Sequence, residues 1–155
     1  MNILVWSDSH GHKEYVMRML DKEPECKTVF FLGDGMSEAE YAKEHYPDRS
    51  FILVKGNNDW HSRAELYAYK HLEGVTFMAC HGDMLSVRFS LRELFNKADS
   101  VRAHIALYGH THVPKTEGDP YSGVCAVNPG ALCDGKYCVI TVEKGDYSIV
   151  HKDIF

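Results

Sequence analysis

Ile3-Leu4-Val5-Trp6, followed at once by Ser7-Asp8-Ser9-His10-Gly11, is an apolar run that ends in ligand-type side chains. A run this short, bounded by polar residues, suits a buried β-strand. The pattern then repeats. Val29-Phe30-Phe31-Leu32 leads into Gly33-Asp34, and Ile52-Leu53-Val54 leads into Lys55-Gly56-Asn57-Asn58-Asp59. Thr76-Phe77-Met78-Ala79-Cys80 leads into His81-Gly82-Asp83, and Ile105-Ala106-Leu107-Tyr108 into Gly109-His110-Thr111-His112. Each run presents Asp, His or Asn at its C-terminal end, beside a glycine that lets the backbone turn sharply. In open α/β sheets that edge is where ligands bind.

Between the first three runs the spacing changes from 2 to 3.6. His12 to Lys22 carries Tyr15, Val16, Met19 and Leu20 on one helical face. Ser37 reads as the N-cap of a second helix, with Glu40 as its capping-box partner and Pro47 stopping it near Tyr46. Strands at Asn2 to Trp6, Thr28 to Leu32 and Phe51 to Val54 complete a β-α-β-α-β order, the signature of parallel pairing with right-handed crossovers. Further strands are expected at Leu66 to Leu72, Val75 to Cys80, His104 to Tyr108, Val113 to Glu117, Gly123 to Val127, Tyr137 to Val142 and Tyr147 to His151. A third helix is expected at Ser90 to Ala98. The fold class is α/β, with residues 1–155 as one domain.

Composition narrows the function classes. The chain has 155 residues, 45% hydrophobic and 25% charged, with no low-complexity stretch. The apolar start, Met1 to Ser7, is short and lacks a basic n-region, so it reads as a strand rather than a signal peptide. No run approaches bilayer length. A cytosolic protein that does not enter membranes is expected. The five cysteines are odd in number and show no C-x-x-C spacing, which speaks against a disulfide framework or a zinc knuckle. The net charge of −5 argues against a nucleic-acid partner, because such binding rests on clustered Lys and Arg. A symmetric homodimer is the default for a soluble chain.

Several carboxylates and imidazoles gathered at one edge call for divalent cations. Asp8, His10, Asp34, Asn57, His81, His110 and His112 exceed what one tetrahedral catalytic site needs. They suit two ions that share a carboxylate, as in phosphatases and nucleases, where the ions lie about 3.5–4 Å apart. Imidazole with carboxylate fits manganese, zinc, iron, nickel or cobalt.

On these motifs the chain resembles the calcineurin-like metallophosphoesterases: D-x-H at Asp8 and His10, G-D at Gly33 and Asp34, G-N-x-D at Gly56 to Asp59, H-G at His81, and G-H-T-H at Gly109 to His112. The chain length and Asn128-Pro129-Gly130 resemble the short bacterial and archaeal phosphodiesterase branch. The resemblance implies a four-layer α-β-β-α sandwich and two divalent ions, with manganese placed first. It puts Asp8, His10, Asp34 and His112 on one ion, and Asp34, Asn57, His81 and His110 on the other. It implies hydrolysis of a small phosphate ester by a hydroxide between the ions. Many members carry G-N-H-E, whose His can protonate the leaving oxygen. Here that position is Asn58, and an amide cannot act as a general acid near neutral pH.

The residues expected nearest the chemistry, besides the ligands, are Asn58, Asp59 as an orienting group, and His12 as a substitute proton donor. Asp83 reads equally as an orienting group or a turn carboxylate, and Trp60 and His61 as the rim of the substrate mouth. The absent His and the few cations near the motifs (Lys55 and Arg63 are nearest) tilt the expectation toward phosphodiesters. A phosphomonoesterase with the same ions is the alternative. A scaffold like the related retromer subunit is the alternative from another class, and it predicts damaged ligand positions.

Overall fold

Strand β1 (Asn2–Trp6) is buried on both faces, because Ile3 and Val5 alternate with Leu4 and Trp6. The computed structural model describes residues 1–155. Helix α1 (Lys13–Lys22) returns the chain to β2 (Thr28–Phe31), and α2 (Met36–His45) returns it to β3 (Ser50–Leu53). β1, β2 and β3 pair in parallel, as the β-α-β-α-β order predicts.

β4 (Tyr67–Leu72) and β5 (Val75–Cys80) form an antiparallel hairpin. Helix α3 (Arg92–Ser100) then leads to β6 (Ile105–Leu107), parallel to β5. β7 (Lys115–Gly118) and β8 (Cys125–Asn128) extend that sheet to the order β4-β5-β6-β8-β7. β9 (Lys136–Glu143) and β10 (Asp146–Asp153) go back to the first sheet, β10-β9-β1-β2-β3, with β9 antiparallel to β1.

The two sheets stack. Ile3, Val5, Phe30 and Leu32 from one meet Val75, Phe77, Ile105, Leu107 and Val127 from the other in a fully buried cluster. Phe30 and Phe77 meet across this layer with ring centroids 5.5 Å apart. Burying each such side chain contributes about 1.5–3 kcal/mol before entropy is counted. On the outer face of the first sheet, Leu4, Trp6, Val29 and Phe31 pack on Val16, Met19 and Leu20 of α1 and on Met36, Ala39 and Ala42 of α2. On the outer face of the second, Met78 and Ala106 pack on Leu94, Phe95 and Ala98 of α3. The architecture is therefore the expected four-layer α-β-β-α sandwich. No helix is long and apolar enough to cross a membrane.

Strand bounds shift by one or two residues, as at β7 and β8, and the starts of α2 and α3 differ from expectation for physical reasons. α2 starts at Met36, and Ser37 does not cap it, since its hydroxyl donates to Glu38 Oε2 at 2.6 Å. The cap comes from Asp59 instead, whose Oδ1 accepts the N–H groups of Gly35 and Met36. α3 starts at Arg92 rather than Ser90. Ser90 Oγ accepts the Arg92 N–H in a turn just ahead of the helix.

Candidate metal centre

The parallel strands of both sheets end at one edge. Asp8 and His10 follow β1, Asp34 follows β2, Asn57 to Asp59 follow β3, His81 follows β5, and His110 and His112 follow β6. The backbone bends hard to aim them. Asp8, His10, Asp34, His110 and His112 all have positive φ, between 42° and 68°. An L-residue in this left-handed region costs roughly 1–2 kcal/mol. Such strain persists only where the surroundings enforce it, and it concentrates at functional sites.

The side chains meet around two carboxylates. Asp8 is fully buried. Its Oδ2 accepts Ser7 Oγ at 2.6 Å and the His110 N–H at 3.1 Å. Its Oδ1 has no hydrogen-bond partner. Around that oxygen stand His112 Nε2 at 3.3 Å, His10 Nε2 at 3.6 Å and His81 Nε2 at 4.0 Å. His10 and His112 bring their Nε2 atoms within 3.3 Å of each other. Asp34 Oδ2 lies 3.4 Å from His81 Nε2 and 4.0 Å from His10 Nε2, so it stands between the two groups of imidazoles. His81 and His110 meet through Nε2 and Nδ1 at 3.2 Å.

His81 is buried, and its Nδ1 is 2.8 Å from the Leu32 carbonyl. A carbonyl only accepts, so Nδ1 carries a proton and the neutral ring turns its Nε2 lone pair toward the carboxylates. Burial opposes a charge on His81, but the hydrogen bond to Asp34 and the charges of Asp8 and Asp34 outweigh it and raise its pKa. Burial likewise opposes ionisation of Asp34. The His81 interaction and two hydrogen bonds from Asn58 outweigh it and hold its pKa down at about 2. His110 is lowered by burial first, then by the neighbouring His81 and Arg88 charges.

A buried carboxylate oxygen without a donor, faced by imidazole nitrogens, is a costly arrangement unless a cation completes it. The donor set fits a borderline divalent ion. Asp8 with His10 and His112, and Asp8 with Asp34 and His81, each form a group able to hold one.

Supporting groups fix these ligands. Asp59 Oδ2 accepts the N–H of Asp34 at 2.8 Å and of Gly56 at 2.7 Å, while its Oδ1 caps α2. One carboxylate thus ties the Asp34 loop, the Gly56 loop and the helix start together. Glu38, buried at the start of α2, accepts the Gly11 N–H and Ser9 Oγ, and so pins the loop that carries His10. Asn128 Nδ2 donates to the Gly109 carbonyl and to Thr111 Oγ1, and so steadies the His-x-His loop. Two glycines are required by contact. A Cβ on Gly56 would strike the Asp34 carboxylate, and one on Gly109 would strike Ser7 Oγ and Asp8 Oδ2.

Six of the seven expected ligands thus converge: Asp8, His10, Asp34, His81, His110 and His112. Asn57 does not join them. It is exposed, and its backbone carbonyl accepts Trp60 Nε1 at 2.8 Å. Asn58 stands against Asp34 in its place, donating its backbone N–H to Oδ1 and Nδ2 to Oδ2, both at 2.9 Å. His12 also stays out. It stacks on Tyr15 and faces Glu14, both in α1. His61 and Trp60 line a cleft of about 400 Å³ that runs from His10 and Asp34 past Asn58, Glu38 and Glu40. Asp83 opens a 3-10 turn, Asp83–Leu85, and its carboxylate makes no hydrogen bond to a ligand. Nothing in the sequence marks Glu38 or Arg88 as serving the site, and both arrive through tertiary contacts. Ser7 adjoins a motif residue, and Asn128, which helps carry the resemblance, reaches the His-x-His loop only through the fold. Cys133, whose N–H donates to the Asp8 carbonyl, also comes near His112 and Asp134.

A family model described as the calcineurin-like phosphoesterase superfamily domain matches residues 1–145. The chain belongs to that superfamily. It is 26% identical over 149 residues to the probable metallophosphoesterase YsnB of Bacillus subtilis (strain 168), covering 92% of this chain and 85% of that one. Among solved structures, a conserved uncharacterised phosphoesterase-type protein from Streptococcus pneumoniae TIGR4 superposes with a TM-score of 0.82 at 24% identity, over 99% of this chain and 89% of that one. An archaeal phosphodiesterase superposes at 0.72 and 20% identity, over 98% and 100%. Vps29 from Entamoeba histolytica, solved with zinc, superposes at 0.76 and 16% identity over the whole of both chains. The family is metal-dependent, and the cluster around Asp8 and Asp34 is where this member has residues able to hold a cation.

Proposed function

We propose that the protein hydrolyses small phosphodiesters at two divalent cations, manganese first among them, held at the strand-end cluster. The observation that carries this reading is Asp8 Oδ1, a buried oxygen with no donor and with imidazole nitrogens of His112, His10 and His81 around it. Asp8, His10 and His112 would hold one ion and His81 and His110 the other, with Asp34 between them. Ions bound there would supply an acidified water and neutralise charge on the phosphoryl oxygens. The amide beside Asp34 belongs to Asn58, which orients that carboxylate and has no proton to give a leaving group.

The diester preference rests on two features. No imidazole occupies position 58, so leaving groups of low pKa are favoured. The 400 Å³ cleft beside Asp34 is lined by Glu38 and Glu40, which oppose a second anionic group there. Trp60, 79% exposed on the same cleft, offers a flat apolar face to the leaving group. One observation favours a phosphomonoesterase as the second reading: the Arg88 guanidinium lies against His110 and could meet a third phosphoryl oxygen. The scaffold reading predicts damaged ligand positions, and here the carboxylates and histidines are all present.

The test compares bis-p-nitrophenyl phosphate with p-nitrophenyl phosphate, using chelator-stripped protein resupplied with Mn²⁺. Faster diester turnover that disappears in His81→Ala is expected. Faster monoester turnover would reverse the substrate preference, and no turnover with ions bound would favour the scaffold.

A further inference from the structure

Arg88 sits in the bend after the 3-10 turn Asp83–Leu85, exposed and paired with no carboxylate. Its Nε is 3.1 Å from His110 Nε2, and its Nη2 is 3.3 Å from the His110 carbonyl. A guanidinium can only donate. His110 Nε2 must therefore hold the ring's lone pair, and the proton of the neutral imidazole sits on Nδ1. That nitrogen lies 3.2 Å from His81 Nε2, on the side where the ligands converge. A protonated nitrogen cannot ligate, since a metal takes the neutral lone pair. While Arg88 holds the ring, His110 offers the cation a proton.

His110 becomes a ligand when the proton leaves Nδ1 for solvent and Nε2 takes one from solvent, with no net change. Nε2–H then faces the Arg88 N–H, and the two donors cannot stay together. Arg88 must let go. Released from Nε2 but still able to donate through Nη2 to the His110 carbonyl, it is a planar cation with N–H donors to spare at the rim of the centre, the geometry that suits phosphate oxygens. It also lines a second cleft, about 440 Å³, with Ser90 and Thr111.

We propose that Arg88 is a cation-gated phosphate receptor: it occupies His110 Nε2 until an ion takes Nδ1, and then binds a non-bridging oxygen of the phosphoryl group. This rests on the two-ion reading above. The ligand class is a phosphate with an oxygen to spare after two ions have been served, so a monoester, or the phosphate released from one, engages Arg88 more fully than a diester.

Three readouts test it, two of which need no turnover. In long-range ¹H–¹⁵N spectra of the chelated wild type, His110 should be the Nδ1–H tautomer, converting to Nε2–H on titration with Zn²⁺. In Arg88→Ala the lock is absent, so calorimetry should show one Zn²⁺ bound about three- to tenfold more tightly, the affinity otherwise lost to the blocked state. Inorganic phosphate should bind the Zn²⁺-loaded Arg88→Ala protein about tenfold more weakly than wild type, with partial recovery in Arg88→Lys. A chelated wild type already in the Nε2–H form would overturn the gate, as would unchanged Zn²⁺ affinity. Unchanged phosphate binding would overturn the receptor. Failure of the wild type to cleave diesters would sink the proposed substrate while leaving these spectra and titrations decisive.

Discussion

Replacing Asp59 by Ala separates a capping carboxylate from a metal ligand. Its two oxygens accept N–H groups from Asp34, Gly35, Met36 and Gly56, at 2.7–3.1 Å. Loss of a helix cap alone costs about 0.5–2 kcal/mol. Asp34 and Gly56 are buried, and each donor left unpaired there costs about 1–3 kcal/mol. The sum for Asp59→Ala is about 3–5 kcal/mol after partial relaxation, a large part of a typical total of roughly 5–15 kcal/mol. For a chain of this size that lowers Tm by about 6–20 °C. The assay is urea unfolding in chelator, where the sign discriminates. As a cap, Asp59 stabilises the stripped protein. As a ligand, its removal would relieve repulsion with Asp34 and raise the midpoint. A midpoint unchanged within about 0.5 kcal/mol, or raised, would refute the capping account. Asp59→Asn should cost less, because the amide oxygen still accepts while its NH₂ faces the remaining donors.

Four further outcomes follow from the same geometry. Asp8→Asn should stabilise the chelated protein by about 1 kcal/mol, since an amide donor can meet the surrounding imidazole nitrogens, while abolishing ion binding; a destabilised apo variant in thermal melts would contradict this. In chelator, Asp34 has a folded pKa below its unfolded value, so its stabilisation is present above pH about 4 and is lost toward its folded value of about 2. His81 has a raised folded pKa, so its contribution is full below pH about 6.5 and fades as pH rises through the folded value; Asp34→Asn should flatten that alkaline loss in urea titrations across pH 5.5–9. His12→Ala should leave rate and pH profile unchanged, since its contacts are to Glu14 and Tyr15, and a lost basic or acidic limb would restore it as a proton donor.

What could be read from the chain followed from locality. An apolar run and the ligand that ends it are adjacent in sequence, so β1 with Asp8 and β6 with His110 and His112 were legible together. The parallel order of β1, β2 and β3 followed from the helices between them. The return of β9 to the side of β1 carries no local mark, since residues 138–141 pair with residues more than a hundred positions away. The same holds for side chains. Ser37-x-x-Glu40 fits a capping box, yet Asp59 supplies a charged acceptor from a loop 23 residues beyond Met36, and the helix starts there. Glu38 looks like an ordinary first-turn acid, yet it is buried against the loop carrying His10. The two adjacent asparagines are chemically equal in sequence. Only the turn through Gly56, which admits the Asp34 carboxylate too closely for any Cβ, decides that Asn58 faces it. Arg88 is invisible as a site residue because 22 residues separate it from His110.

The proposed function stands on the strand-end cluster binding two cations around Asp8 and Asp34. The most direct measurement is ion stoichiometry by calorimetry on chelator-stripped protein titrated with Mn²⁺ at pH 7.5, for wild type, Asp8→Asn and Asp34→Asn. Wild type should bind two ions per chain, with one lost in Asp8→Asn and both weakened in Asp34→Asn, whose carboxylate stands between the imidazole groups. A single ion in wild type, or two that survive the loss of Asp34, would contradict it.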